Sequence, residues 1–254
     1  MPLGTNGYIP TGGRHTMSFL VLGAEHALLL DAGTGVARFV EPAVRELLRP
    51  YRRLEVLLTH YHLDHVVGLV YLIGTWRDRA LRIWGPAPPL SDSTPHEAIG
   101  KLLNPPLCGL PLDRFPMPVE IHELRDERAE IAGFDVRLRR QDHPGGSVGV
   151  RLGDTLGYVT DTAADEATVD LVRGVDLLMH EVWRTDQEKP DGPGHSPVGR
   201  VAALAREAGV RRLMPVHHFP GRGDDQLRAI ATSLAEQSGV ECFVGEEGRA
   251  IDLR

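Results

Sequence analysis

The stretch His60-Tyr61-His62-Leu63-Asp64-His65 places four metal-binding side chains in six positions. Before it, Leu54 to Thr59 reads as a buried strand that ends in a polar turn. After it, the apolar spacing from Asp64 to about Thr75 predicts a helix entered through an Asp cap. Four donors crowded on one strand-to-helix turn cannot all reach a single tetrahedral ion and still leave room for chemistry. The spacing therefore favours two neighbouring ions and points to metal-dependent hydrolysis.

Working outward, 254 residues with ordinary apolar and charged fractions set the scale of one large domain or two small ones. The 28 basic and 35 acidic side chains leave a net charge of −7 with His neutral, and no basic run tracks a phosphate backbone. Bulk electrostatics thus disfavour a long nucleic acid as partner. Local arginine clusters at Arg137, Arg139 and Arg140, and at Arg211 and Arg212, read as solvated strand edges. Cys108 and Cys242 stand far apart and outside any Cys-x-x-Cys spacing, as expected of a reduced, cytoplasmic protein. No basic-then-apolar leader opens the chain, and no apolar run reaches bilayer length, so a soluble protein is expected.

Met17 to Leu22 and His26 to Asp31 read as a hairpin around Gly23-Ala24-Glu25. A helix is expected over Ala37 to Leu48, followed by the strand at Leu54, the metal-motif helix and a strand at Leu81 to Trp84. Residues 85 to 118 then carry nine prolines and one possible helix at His96 to Leu103. So long a Pro-rich connection reads as a lid or substrate-facing insertion. The second half repeats the alternation. Strands are expected at Val119 to His122, Phe134 to Arg140, Val148 to Leu152, Leu156 to Thr160, Val175 to Met179, Arg212 to Val216 and Glu241 to Val244. Helices are expected at about Glu166 to Arg173, Pro197 to Ala208 and Asp224 to Gln237, with Asp165 and Ser196 as N-caps and Gly209 and Gly239 at helix ends. Two such halves imply a two-sheet sandwich with helices on both outer faces, read as a single domain over residues 1 to 254.

Three further strand ends present a donor: His143, Asp161 and His217. Donors at strand ends are what a rim on a rigid sheet needs. His218 follows His217 directly, but a side chain one residue further on points the other way. It is read as a packing residue, with His15, His26, His96 and His122 as packing or surface residues.

These segments together resemble the metallo-β-lactamase superfamily, and within it the ribonuclease Z and phosphodiesterase branch, over nearly the whole chain. Leu3 to Pro10 resembles the opening turn of that branch, and Leu29-Leu30-Asp31-Ala32-Gly33-Thr34-Gly35 its second-strand motif. His60, His62, Asp64 and His65 match the metal signature; His143 with Gly149, Val159 to Thr162, and Val216-His217 resemble the later ligand segments. The resemblance implies a four-layer αββα sandwich of α/β class. It implies two divalent ions, zinc or manganese, one held by His60, His62 and His143, the other by Asp64, His65 and His217, with Asp161 between them. His180-Glu181-Val182-Trp183 and Gly194-His195-Ser196 resemble stretches that set this branch apart. They imply His195 beside the scissile phosphate with Glu181 supporting it, so that Asp64, His195 and Glu181 are the expected catalytic residues and His180 is structural.

The pattern also departs from the transfer-RNA-processing enzymes, whose long arm lies between the third ligand and the bridging Asp. Here 161 − 143 leaves only 18 positions, too few for that arm. A small phosphodiester or nucleotide is the expected substrate, hydrolysed by a hydroxide shared between two ions, and long structured RNA is not expected. The rival readings are a lactonase or thioesterase on the same centre and, further off, a non-catalytic metal-binding regulator. A homodimer is only what the resemblance suggests.

Overall fold

Ala27-Leu28-Leu29-Leu30 is apolar at every position because both faces of its strand are covered. Ala27 and Leu29 join one buried cluster, Leu28 and Leu30 another, as the two-residue period of a strand requires. That strand belongs to the first of two sheets in a computed structural model describing residues 1–189 and 194–253. The first sheet comprises β1 (Pro2–Gly4), β2 (Ser18–Leu22), β3 (Ala27–Leu30), β4 (Arg53–Leu57), β5 (Ala80–Pro86) and β6 (Val119–Leu124), paired in chain order. β1 to β3 are antiparallel, and β3 to β6 are parallel.

The second sheet comprises β7 (Arg128–Ile131), β8 (Phe134–Gln141), β9 (Ser147–Leu152), β10 (Leu156–Val159), β11 (Leu177–Glu181), β12 (Arg212–Val216) and β13 (Glu241–Cys242). It too is half antiparallel, β7 to β10, and half parallel, β10 to β13. Helices α1 (Pro42–Leu48), α2 (Leu63–Val66), α3 (Leu69–Thr75) and α4 (Pro95–Leu102) follow strands of the first sheet. Helices α5 (Glu166–Val172), α6 (Val198–Ala208) and α7 (Asp224–Ser238) follow strands of the second.

Three apolar clusters mark three interfaces between four layers. Val44, Leu48, Leu69, Leu72 and Trp76 seal the helices onto Leu29, Val56 and Ile83. Phe19, Leu28, Leu57, Val150, Tyr158, Met179 and Met214 fill the space between the sheets. Val169, Val201, Ala205, Ile230 and Leu234 seal the other helices onto Leu178 and Leu213. The fold is the expected αββα sandwich. Among the described residues no helix is long and apolar enough to cross a membrane.

Several local expectations change. The helix expected over Ala37 to Leu48 is a 3-10 turn, Thr34–Val40, followed by α1, because Pro42 forces Glu41 into extended backbone (φ −67°, ψ 135°). The metal-motif helix is broken between Val66 and Leu69 into α2 and α3. Its cap position is His62, not Asp64, whose carboxylate accepts the Tyr8 N–H at 2.7 Å. β11 starts two residues later than expected, so His180 and Glu181 lie inside the strand. Ser196 does not cap α6; its hydroxyl bridges Ala164 N–H and Thr162 C=O. Asp165 does cap α5, accepting the Thr168 N–H at 2.8 Å. The Pro-rich segment carries α4 behind a Thr94–Glu97 capping box and buries Ile99, Leu103 and Met117 in the first cluster.

Candidate metal centre

The seven donors expected from the sequence come together at one end of the sandwich. His60, His62, Asp64 and His65 come from the segment after β4; His143 follows β8, Asp161 follows β10 and His217 follows β12. Asp161 (φ 51°) and His217 (φ 52°) both take left-handed backbone just past their strands, as does Asp31 (φ 54°) after β3. Non-glycine residues rarely adopt this region, and Asp and His are among the exceptions that tolerate it. The kink ends strand pairing and turns each side chain onto the rim.

Two close approaches seat the β4 segment. A Cβ on Gly33 would lie 2.1 Å from Asp64 C=O, and one on Gly68 would lie 2.1 Å from Gly33 C=O. The bare backbones let His65 C=O accept from Ala32 N–H and Gly68 N–H donate to Ala32 C=O, both at 2.7 Å. Gly7 plays the same part for His217, since a Cβ there would sit 2.5 Å from the ring.

Ligand atoms of His60, His62, His143 and Asp161 all lie within 4.8 Å of one another, and so do those of Asp64, His65 and His217. Asp161 reaches both groups. Its carboxylate stands 3.1 Å from His65 Nε2, 3.2 Å from His217 Nε2, 3.6 Å from His143 Nε2 and 4.0 Å from His60 Nε2. Asp64 Oδ2 is 3.4 Å from both His65 Nε2 and His217 Nε2. Ligand atoms about 2.0–2.1 Å from one tetrahedral ion stand roughly 3.3 Å apart, so these spacings are those of coordination edges. Nε2 of His60, His65 and His217 is buried without a hydrogen-bond partner, an arrangement costly to a protein unless a cation completes it. The residues present fit divalent ions.

The electrostatics agree. Burial pushes His60 well below its ordinary pKa, helped by His65, and lowers His143 to about 4. Both offer a lone pair at neutral pH. At His65 burial also works against the charged form, but Asp64, Asp161 and Asp31 outweigh it and hold the imidazole well above its usual value. Burial would raise Asp161, yet His217, His65 and His60 keep it far below the carboxylate range. Asp64 is depressed in the same way, chiefly by His65 and His217. The cavity thus favours positive charge.

Sequence reasoning missed the residues that aim these donors. Asp31 Oδ2 accepts from His65 Nδ1 at 2.8 Å, Tyr158 OH at 2.7 Å and Thr59 Oγ1 at 2.9 Å, while Oδ1 accepts Thr59 N–H at 2.8 Å. With Nδ1 donating to Asp31, His65 presents Nε2 to the cluster. The signal was a single carboxylate ending an otherwise apolar run, Ala27 to Ala32. Thr160 Oγ1 donates to Asp161 Oδ2 at 2.7 Å and Ser147 Oγ to Asp161 C=O at 2.9 Å, fixing the central carboxylate.

His195 Nδ1 pairs with Glu181 Oε2 at 2.9 Å. Ligand atoms of Asp161, His195 and His217 lie within 4.8 Å of one another, which brings His195 to the cluster's edge. Glu181 is fully buried, its other oxygen takes Thr162 N–H, and burial raises its pKa. Trp183 stacks on the His195 ring, centroids 4.5 Å apart and 15° between planes. His180 turns away, its Nδ1 2.8 Å from Glu181 C=O, and burial lowers it to about 4. His218 is buried outside both donor groups.

A profile of the β-lactamase superfamily domain matches residues 26–218. The chain belongs to that superfamily. It is similar to ribonuclease Z of Methanosarcina acetivorans, 25% identical over an alignment spanning 90% of this chain and 89% of the relative. Its fold is that of the metallo-β-lactamase fold protein YhfI from Bacillus subtilis, with a TM-score of 0.75, 20% identity and 98% and 96% of the two chains covered. A diphosphatase of the PhnP family matches with a TM-score of 0.71 and 18% identity over 99% and 96% of the chains. The chain is thus a metal-dependent hydrolase of that superfamily, similar in sequence to ribonuclease Z, and its fold implies divalent ions.

Proposed function

We propose that this member hydrolyses a small phosphodiester or nucleotide at a binuclear centre. The observation that carries the reading is the His195–Glu181 pair, bonded at 2.9 Å at the edge of a cluster of seven other donors. His60, His62 and His143 would hold one ion and Asp64, His65 and His217 the other, with Asp161 shared. Zinc suits this imidazole-rich set, with manganese as the alternative. Bound there, the ions would polarise the phosphoryl oxygens and bring the pKa of a water near neutral.

The chain's own residues supply the rest. Asp31 locks the tautomer of His65, Thr160 holds the Asp161 carboxylate and Ser147 holds its backbone carbonyl. Glu181 accepts a hydrogen bond from His195 Nδ1–H and so favours the doubly protonated ring, whose Nε2–H would be the proton that a departing alkoxide takes up, leaving a neutral imidazole. A buried carboxylate is suited to this because it favours the imidazolium without reaching the substrate itself.

Two features support a small substrate over a long structured RNA. Between His143 and Asp161 the chain is filled by β9, a short turn and β10, with no protruding arm. The arginine clusters are also paired: Arg139 with Asp165, Arg140 with Asp92, and Arg211 and Arg212 with Asp176. Phosphate-tracking surfaces need unpaired cations.

Metal-loaded protein is expected to turn over bis(p-nitrophenyl) phosphate and to leave an acyl lactone and a thioester almost untouched. His195→Ala should retain its metal and lose roughly 10²–10⁴-fold in rate. The loss should be largest for a nucleoside alkoxide and smallest for p-nitrophenolate, which leaves without a proton. Glu181→Gln should show the same ranking more weakly. Equal losses on both leaving groups would remove the acid role from His195, and preferred turnover of the lactone or thioester would replace the reading.

A further inference from the structure

Among the described residues, half of the large exposed apolar side chains lie in segments that reach the donor cluster. Of the eight, four lie in segments that carry or touch a donor: Tyr8 (70% exposed) with its neighbour Ile9 (42%), Leu63 (66%) and Phe219 (40%). Leu63 sits between His62 and Asp64, and Phe219 lies two residues past His217. Single exposed apolar residues need no explanation, but a group gathered around one site does.

The two aromatic members are held in place. Tyr8 lies at the centre of a three-residue turn closed by Ile9 N–H on Gly7 C=O at 2.7 Å, and its φ is 63°. That conformation is strained for a bulky side chain and persists only where surroundings impose it. Here they do so twice, because Tyr8 N–H donates to Asp64 Oδ2 at 2.7 Å and Gly7 N–H donates to His218 C=O at 3.0 Å. The second bond lays the Gly7-Tyr8 backbone beside His218-Phe219. Phe219 packs edge-on against Trp183, centroids 5.0 Å apart, and Trp183 stacks on His195. Arg222, anchored to Trp183 C=O and Glu188, covers the Phe219 ring from 5.6 Å. An aromatic row, buried at Trp183 and exposed at Phe219, therefore runs outward from the candidate acid, and Tyr8 stands exposed where its backbone is bonded to Asp64.

We propose that Tyr8 and Phe219 form a stacking platform for a planar ring carried by the group esterified to the phosphate, a nucleobase being the simplest occupant. This rests on the phosphodiesterase reading and adds the substrate class. A flat aromatic face takes any base with little sequence preference.

The test compares two ligands that share a sugar phosphate and differ by the ring. Zinc-reconstituted protein, its metal content checked by elemental analysis, is titrated calorimetrically with adenosine 5′-monophosphate and with ribose 5-phosphate. The nucleotide should bind roughly 5- to 150-fold more tightly, the range for stacking one base. Tyr8→Leu and Phe219→Leu keep apolar volume and lose the aromatic face; each should cut that ratio severalfold. Leucine at either position also limits the risk of misfolding, which a thermal scan would expose. Equal affinity of the wild type for both ligands, or a ratio unchanged in both variants, overturns the platform alone. Absence of binding by either ligand and by inorganic phosphate, with no turnover of bis(p-nitrophenyl) phosphate, overturns the phosphodiesterase reading and the platform with it.

Discussion

His217 and His218 are neighbours in sequence and differ in everything that matters to a metal. The left-handed backbone at His217 swings its ring over Gly7 and into the cluster, with Nε2 3.4 Å from Asp64 and 3.2 Å from Asp161. His218 is 1% exposed, packed away from the donors, and burial lowers its pKa to about 3. His217→Ala should weaken metal binding by more than the roughly 10–100-fold seen when a mere supporting partner is lost. His218→Ala should keep its metal and instead lose stability, by roughly 1–3 kcal/mol as a buried side chain is deleted. Elemental analysis and urea unfolding of the two variants separate these outcomes; equal metal losses would mean that both imidazoles serve the centre. The donors themselves were legible because His-x-His-x-Asp-His is dense and local. Asp31 was not, since its meaning depends on Tyr158, which lies 127 positions away and meets it only once the two sheets pack.

At the scale of elements, the hidden feature is the break between α2 and α3. The apolar period runs on through Gly68, so nothing in the pattern announces an interruption. The cause is a backbone contact with the turn after β3, visible only in three dimensions. Edge strands were missed for a related reason. β7 has one fully buried residue in four, Ile131, and β1 is three residues long, so neither carries a readable alternation. Runs buried on both faces, such as Leu177 to Glu181, were found, but their ends drifted because continuous apolarity does not mark a boundary. The break yields its own prediction. Gly68 has φ −67°, so Gly68→Ala meets no backbone penalty, and helix propensity could return at most about 1 kcal/mol. Against that, the new Cβ would lie 2.1 Å from Gly33 C=O, with no flexible side chain to yield. Overpacking of this kind costs about 1–3 kcal/mol or more, so the clash should win. The variant should be less stable in urea and bind metal more weakly, because α2 carries Asp64 and His65. A variant as stable as wild type, with normal metal content, would show that the Gly33–Gly68 contact does not seat the donors.

Across the whole molecule the donors divide between the sheets. His60, His62, Asp64 and His65 follow β4 of the first, whereas His143, Asp161 and His217 follow strands of the second. The apolar layer of Phe19, Tyr158 and Met214 holds the sheets together along their length. At the rim that layer gives way to buried imidazoles and carboxylates, several with unpartnered nitrogens. Ions bound there would join the two sheets at the point where apolar packing ends, so metal binding should register as global stability. A ligand present at about 1,000 times its Kd adds roughly 4 kcal/mol to the folded state. For a chain of this size each kcal/mol moves Tm by roughly 2–4 °C, which gives a shift of about 10 °C. Chelator-treated protein should therefore melt at least about 10 °C below zinc-reconstituted protein, the shift due to a single ion, and readdition of zinc should restore the difference. Hydrogen exchange should place the loosening at residues 59–66, 142–147, 161–163 and 217–218, on both sheets at once. Protection lost on one sheet alone would mean that the ions are held within that sheet. An unchanged Tm, with metal content confirmed in one sample and absent from the other, would mean that the fold closes this rim without them.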